Sequence, residues 1–349
     1  MVLEHLFPEN WLEKKVRYAF LIGFIYSTIS LFVARILFPN NTGIVSVALT
    51  TLLLIPYIKK LVEKEEVIEE HEKRFSFKHL FKDNKTMIKV YLSLFLAIYF
   101  SWVVFSFLLP MTGYKTGKLF DAQLGLEKSG SAAGMATGTS LFFDIFLNNW
   151  WVLLATFGLA LIAEEGAFFF VVWNASAWGA ILGYRAFAAG MINNEPLANL
   201  LTVVIITFPH LILEGGAYIL ALISGQVISN DVIHESKEMK RFLGYMIIIL
   251  AVYIFVYWTV RVIMPNKEIF SIISIIVMMF ILYFCAEIFT NRKHKEVFYY
   301  NYYLFIIATC LFIIGALVET IVLMNSSLLS NIYQSAAVYG ITQIILSLL

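Results

Sequence analysis

Again and again this chain runs for about 20 residues with hardly a charge, the length an α-helix needs to cross the hydrocarbon core of a bilayer. Lipid offers no partner to a backbone N–H or C=O, so only helices and closed barrels can span it. The apolar runs fall at 17–38, 42–59, 87–109, 143–162, 165–184, 198–228, 242–264, 268–290 and 302–324, with a weaker one at 332–349. Their length favours helices over strands and predicts an all-α, polytopic transmembrane helix bundle of about 9–10 membrane helices. Composition agrees: 60% of the 349 residues are hydrophobic and 14% charged, where a soluble domain carries about a quarter charged residues.

A formal net charge of +1 gives no bulk electrostatic basis for binding nucleic acid. The only two cysteines, Cys285 and Cys310, lie in separate apolar runs and form no CxxC pair, so they read as buried thiols that behave as small hydrophobes. The opening MVLEHLFPENWLEKKVRYAF is amphipathic and charged, with no small-residue cleavage site after the first apolar run. It reads as the lead to a retained helix, not as a cleaved signal.

Lysine and arginine suggest three units and an orientation. Residues 1–60 form a two-helix membrane hairpin, residues 61–86 a charged helical segment, and residues 87–349 the main bundle, with C-terminal helices over 242–349. The stretch KKLVEKEEVIEEHEKRFSFKHLFKDNK (59–85) mixes both signs at helical spacing, which suits a cytoplasmic helical hairpin. Lys14, Lys15 and Arg17 place the N-terminus on the same side, as do Lys237, Lys240 and Arg241 in one loop and Arg292, Lys293 and Lys295 in another. Four apolar runs separate the 59–85 segment from Lys237, the even number this assignment requires. Residues 110–138 are then extracytoplasmic and end in the glycine-rich lead SGSAAGMATGTS. In LFFDIFLNNWW (141–151), Asp144, Asn148 and Asn149 suggest an interfacial helix start, and Trp150 and Trp151 suit the membrane boundary.

Polar side chains inside the apolar runs are the candidates for function. A mid-helix acid costs about 2.5–3.5 kcal/mol on the insertion scale, so it needs a partner, a proton or water. In TFPHLILEGGAYILALISG, His210 and Glu214 are one helical turn apart, and a direct hydrogen bond between them is feasible. Pro209 removes an N–H and is expected to kink or break the helix. Ala217, Ala221 and Gly225 continue that face with small residues, which turns the polar pair towards another helix. Asn174 sits mid-run above a second small stripe, Ala175, Gly179 and Gly183, and is expected near the pair. Glu164 and Glu165 fall where two runs meet. They are solvated if this is a cytoplasmic turn, or buried together if 143–184 is re-entrant. Glu319 lies near the outer end of its run and could reach the interface.

These residues also admit enzyme readings. His210, Glu214 and a third acid have ligand types for zinc or iron, but a single histidine is thin and HExxH is absent, so no metal or other cofactor is expected. Membrane-embedded prenyl-peptide endopeptidases also carry an EE pair before a later histidine helix. Their pair precedes an arginine and they need a second histidine motif, whereas here GAFFF follows Glu164–Glu165. A hydrolase would instead need Glu165, His210 and Glu214 to meet around one water.

Over IFLNNWWVLLATFG (145–158), WNASAWGAILG (173–183), FPHLILEGGAYILALISG (208–225) and GALVETIV (315–322), the chain resembles the stage II sporulation protein M (SpoIIM) family of integral membrane proteins. The core of the resemblance is 140–228. The two N-terminal helices, the charged segment and the FPNN turn (38–41) look like the family's archaeal branch. The resemblance points to Asn148, Asn149, Asn174, Pro209, His210, Glu214 and Glu319. It implies a membrane scaffold or permease-like component in the cytoplasmic membrane that works with partner proteins or a second copy of itself. A transporter or channel using the His/Glu site for a proton or ion is the alternative from the residues alone, and an intramembrane hydrolase the third.

Overall fold

The computed structural model describes residues 16–69, 84–112, 120, 122–124, 138–229 and 295–348, with isolated positions between 251 and 278. Among them are eight long helices and no strand: α1 (Val16–Leu37), α2 (Thr42–Glu69), α3 (Lys85–Met111), α4 (Gly138–Ala163), α5 (Phe168–Asn193), α6 (Pro196–Val227), α7 (Lys295–Asn325) and α8 (Ser327–Leu348). A 3-10 turn, Glu164–Ala167, joins α4 to α5. Six helical stretches are long and apolar enough to cross a membrane, one of them the 53-residue Leu141–Asn193. The chain is a multi-pass, all-α membrane protein. The runs expected at 242–264 and 268–290, the Lys237–Arg241 loop and the charged segment beyond Glu69 fall almost wholly outside the described residues.

Side-chain contacts fix the direction of each helix. α1 and α3 run parallel: the Ser93 hydroxyl donates to the Val16 carbonyl, and Phe32 meets Phe105 edge-on at 5.3 Å. α2 returns against α1, with the Tyr26 and Tyr57 hydroxyls 3.0 Å apart. α3 and α5 are parallel, since Tyr91 meets the Phe168 ring near their starts and Ser106 donates to the Gly179 carbonyl further along. α6 runs against α5 and alongside α4. Its Gly225 lies on Phe157 and Ala160, and Ser229 donates to the Leu161 carbonyl at 3.0 Å. α4 and α5 are therefore opposed, and the 53-residue stretch is two crossings. α7 opposes α6, with the Ser224 hydroxyl donating to the Asn301 carbonyl at 2.7 Å.

One end of the bundle consequently holds the start of α1 with Arg17, Lys59 and Lys60 of α2, Lys85 and Lys89 of α3, and the start of α7 at Lys295. We call it the basic face. Val227 of α6 also lies at this end. Arg35 and Arg185 lie towards the opposite face. Arg185 stacks its guanidinium 3.6 Å over the Tyr333 ring of α8, where cation–π attraction offsets part of the cost of its half-burial.

The α3–α5 seam shows why glycine stands where it does. A Cβ on Gly179 would lie 2.5 Å from the Tyr99 carbonyl oxygen and 2.7 Å from the Trp102 Cβ, and one on Gly183 would overlap Ser106 and the Val103 carbonyl. Without side chains the two backbones close up, and packing replaces the hydrophobic force that lipid cannot supply. The small stripe of α5 thus faces α3, not α6.

Candidate functional site

Three helices, α4, α6 and α7, bring their polar residues to one place. Glu214 lies 18 residues into α6, which puts it about 27 Å from the helix start and near mid-span. It is 1% exposed. The Asn149 amide of α4 donates to Glu214 Oε1 at 3.2 Å, and Asn148 donates to Asn149 Oδ1 at 3.2 Å. From the other side the Glu319 carboxyl of α7 comes within hydrogen-bonding reach of Glu214. Gly315 allows this approach, since a Cβ there would lie 3.0 Å from Glu214 Cγ. Side chains on a helix lean towards its N-terminus, so Glu319 reaches back one turn to the level of Gly315.

The satisfaction of this cluster is incomplete. No donor reaches Oε2 of Glu214 or Oε2 of Glu319, nor does either ring nitrogen of His210 or the Trp150 indole N–H have a partner. Buried polar atoms usually find partners, and an exception at a carboxyl pair asks for a physical reason. Two carboxyl groups hydrogen-bond each other only if one carries a proton. If both are ionised, two like charges face each other at low dielectric, which needs a shared positive charge to be tolerable. The site can therefore hold a proton or a small cation. Among the described residues, no three of His, Cys, Asp and Glu group closely enough to hold a metal ion.

The structure regroups the residues singled out from the sequence. Glu214 and Glu319 meet, and Asn149 joins them. Glu319 does not reach the interface; it is 9% exposed and turned inward. His210 is 1% exposed but makes no hydrogen bond to Glu214; its ring packs 5.2 Å from Trp178 of α5. Asn174 is not near the pair in bonding terms: its amide donates to the Phe170 carbonyl one turn back, at 2.7 Å. The helix does not break at Pro209, and α6 runs on from Pro196 to Val227. Trp150 is not a boundary residue. α4 begins at Gly138, which carries Trp150 into the core, 1% exposed and stacked on Phe146.

Glu164 and Glu165 occupy the half-buried 3-10 turn at the basic face. Glu164 has a φ of 46°, the left-handed region, as the chain reverses between α4 and α5. There the Tyr91 hydroxyl donates to Gln226 Oε1 at 2.8 Å, Gln226 Nε2 donates to the Glu164 carbonyl at 3.5 Å, and Glu165 lies beside Tyr91. Gln226 is 12 residues, about 18 Å, along α6 from Glu214. The trio a hydrolase needs, Glu165, His210 and Glu214, does not converge. Gln226 was missed in the sequence because it lies at a helix end, where an amide is unremarkable. Twelve residues turn the helix about 120° past three full turns, so Gln226 faces Tyr91 of α3 while Glu214 faces α4, and spacing from Glu214 gave no signal.

Comparison with protein-family models, with curated proteins and with solved structures finds no match for this chain.

Proposed function

We propose that this protein is a permease-like membrane component in which the facing carboxyls of Glu214 and Glu319, held by Asn149, take up and release a proton or small cation. The observation that carries the reading is the contact of two acids from separate helices near mid-span, with one oxygen of each lacking a donor. Ionisable groups inside the membrane are costly, and they are retained mostly where they bind or move charge. The clustering of Arg17, Lys59, Lys60, Lys85, Lys89 and Lys295 at one end supports a cytoplasmic basic face and a cytoplasmic N-terminus. A cytoplasmic membrane is the location consistent with that bias.

The test is flux in proteoliposomes of the purified chain. A pH-sensitive dye inside the vesicles reports protons, and radiolabelled sodium or potassium reports cations. The native protein should move one of them, and Glu214→Gln should abolish the movement while the purified variant still elutes as the native protein does. Unchanged flux in Glu214→Gln would remove the core of this reading.

A scaffold of the stage II sporulation protein M type, working with protein partners, is the second reading. The order Asn148–Asn149, Asn174, Pro209–His210–Glu214 and Glu319 favours it, as does the fact that three of these residues form one hydrogen-bonded chain. A purified chain inert in every flux assay, but recovered from membranes with a stoichiometric partner, would support it over the permease.

A further inference from the structure

The surroundings of the carboxyl pair differ sharply on its two sides. Towards the basic face, rings from all three helices fill the space. Phe157 of α4 meets Phe305 of α7 at 4.2 Å, and Tyr218 of α6 meets Phe312 of α7 at 6.5 Å. Below them Gly225 presses α6 against α4, its position for a Cβ only 2.5 Å from the Ala160 Cβ. Towards the opposite face one side of α4 still carries rings, Phe142 on Phe146 and Phe146 on Phe312 of α7 at 5.2 Å, but another side of the helix offers polar groups. Asp144 and Asn148 are four apart, so they share one face of the helix, and both are exposed. Asn148 donates to the half-buried Asn149, which donates to Glu214. Polarity and burial thus change step by step, from an exposed acid about 9 Å inside the start of α4 to a carboxyl 1% exposed. A helix face turned to lipid would have no use for an acid and an amide one turn apart.

We infer that α4 carries a one-sided access route for the proton or small cation, from the face opposite the basic one, by way of Asp144, Asn148 and Asn149 to Glu214 and Glu319. The inference rests on the reading of the carboxyl pair as a cation-handling site and adds its sidedness and its approach. Asp144 attracts the cation at the mouth by charge. Asn148 and Asn149 give amide oxygens to a hydrated ion or to a file of water. The unpartnered Oε2 atoms receive it. The aromatic packing beyond the pair holds the other half shut, so release to the basic face requires α7 or α4 to shift.

Cysteine accessibility tests the route without relying on flux. In the full chain with Cys285→Ala and Cys310→Ala, Asn148→Cys is exposed to a membrane-impermeant, positively charged thiol reagent from each side of oriented vesicles. Modification from the face opposite the basic one, and not from the basic face, is the expected result. Leu154→Cys, 3% exposed and further towards the basic face, should resist the reagent from both sides. An Asn148→Cys that reacts from neither side faces lipid or protein, and one that reacts from the basic face alone has its route reversed; either overturns the inference. In the flux assay Asp144→Asn should raise the half-saturating cation concentration roughly threefold or more, because the attracting charge at the mouth is gone. An unchanged half-saturating concentration would remove Asp144 from the route. The proton and metal-cation arms of that assay decide which species travels. If Glu214→Gln leaves flux intact, the functional reading fails even where the thiol accessibility is as expected, so the two failures can be told apart.

Discussion

Two seams of the bundle use polar and small residues in opposite ways. Along α3–α5 the polar groups are neutral: Ser106 donates to the Gly179 carbonyl at 3.1 Å, the buried Trp102 indole N–H is left over beside Gly179, and Gly179 and Gly183 let the backbones touch. Along α4–α6–α7 small residues also bring helices close, at Gly225 and Gly315, but the groups they admit are ionisable: two carboxyls, each with one oxygen lacking a donor. The first seam has the chemistry of a joint and the second that of a site. A small stripe on a transmembrane helix thus says that something approaches, and only the polar bookkeeping at the contact says whether it does more than hold.

The comparison can be broken most severely at the joint. Gly183→Leu inserts a side chain where a single Cβ already overlaps Ser106 and the Val103 carbonyl. Overpacking a tight interior costs about 1–3 kcal/mol and sometimes more, and here the obstruction is backbone, so the upper end or beyond is expected. Thermal unfolding in detergent should show a large fall, and most of the variant should elute as aggregate. A native-like melting profile would mean that α3 and α5 are not locked.

The site should respond the other way. Glu214→Leu combined with Glu319→Leu replaces both partners of a buried acid pair by apolar side chains, a change that can be nearly neutral or stabilising because no partner is left stranded in the pair. The double variant is expected to melt at or above the native temperature while losing all flux. A fall comparable to that of Gly183→Leu would show that the carboxyl pair is a joint too. Between these extremes lies Tyr91→Phe, which removes the donor to Gln226 at the α4–α5 turn. Losing one buried hydrogen bond typically costs about 1 kcal/mol, and flux should persist because the turn lies about 18 Å from the pair.

Much of the fold was legible because helix length and apolarity are local properties. The run read at 17–38 is α1 at 16–37, and 198–228 is α6 at 196–227. One shortfall was α5, read as ending at 184 but reaching Asn193. Tyr184–Arg185 resembles an interface in the sequence, and the stacking of Arg185 on the Tyr333 ring of α8, which keeps it within the bundle, is a contact from a distant helix. The charged stretch after Lys59 begins as a continuation of α2, reaching Glu69. Which helices lie side by side is a non-local property, and there the sequence misled. Glu214 was placed near Asn174 because both adjoin small stripes, but the stripe on α5 closes on α3 and leaves Asn174 bonded to its own helix. Asn149, an apparent interfacial residue, becomes the ligand of Glu214 because α4 starts at Gly138 and carries it to mid-span.

His210 is the residue that the contrast between seams leaves for the smallest effect. It lies one turn from Glu214 on α6, yet it packs on Trp178 of α5 and neither ring nitrogen has a partner. It therefore belongs to the packing side of the helix by contact and to the site by sequence. Removing an unpartnered polar group and replacing it by an apolar one of similar size relieves a desolvation cost and forfeits no bond. His210→Leu should thus change stability by no more than about 1 kcal/mol, with any gain reflecting that relief. Its flux should match the native protein, since the route from Asp144 to Glu214 runs along α4 and does not pass the α5 side. If the Leu variant melts normally but loses flux, and His210→Gln restores it, the imidazole serves the carboxyl pair, and the boundary between joint and site must be drawn one turn further along α6.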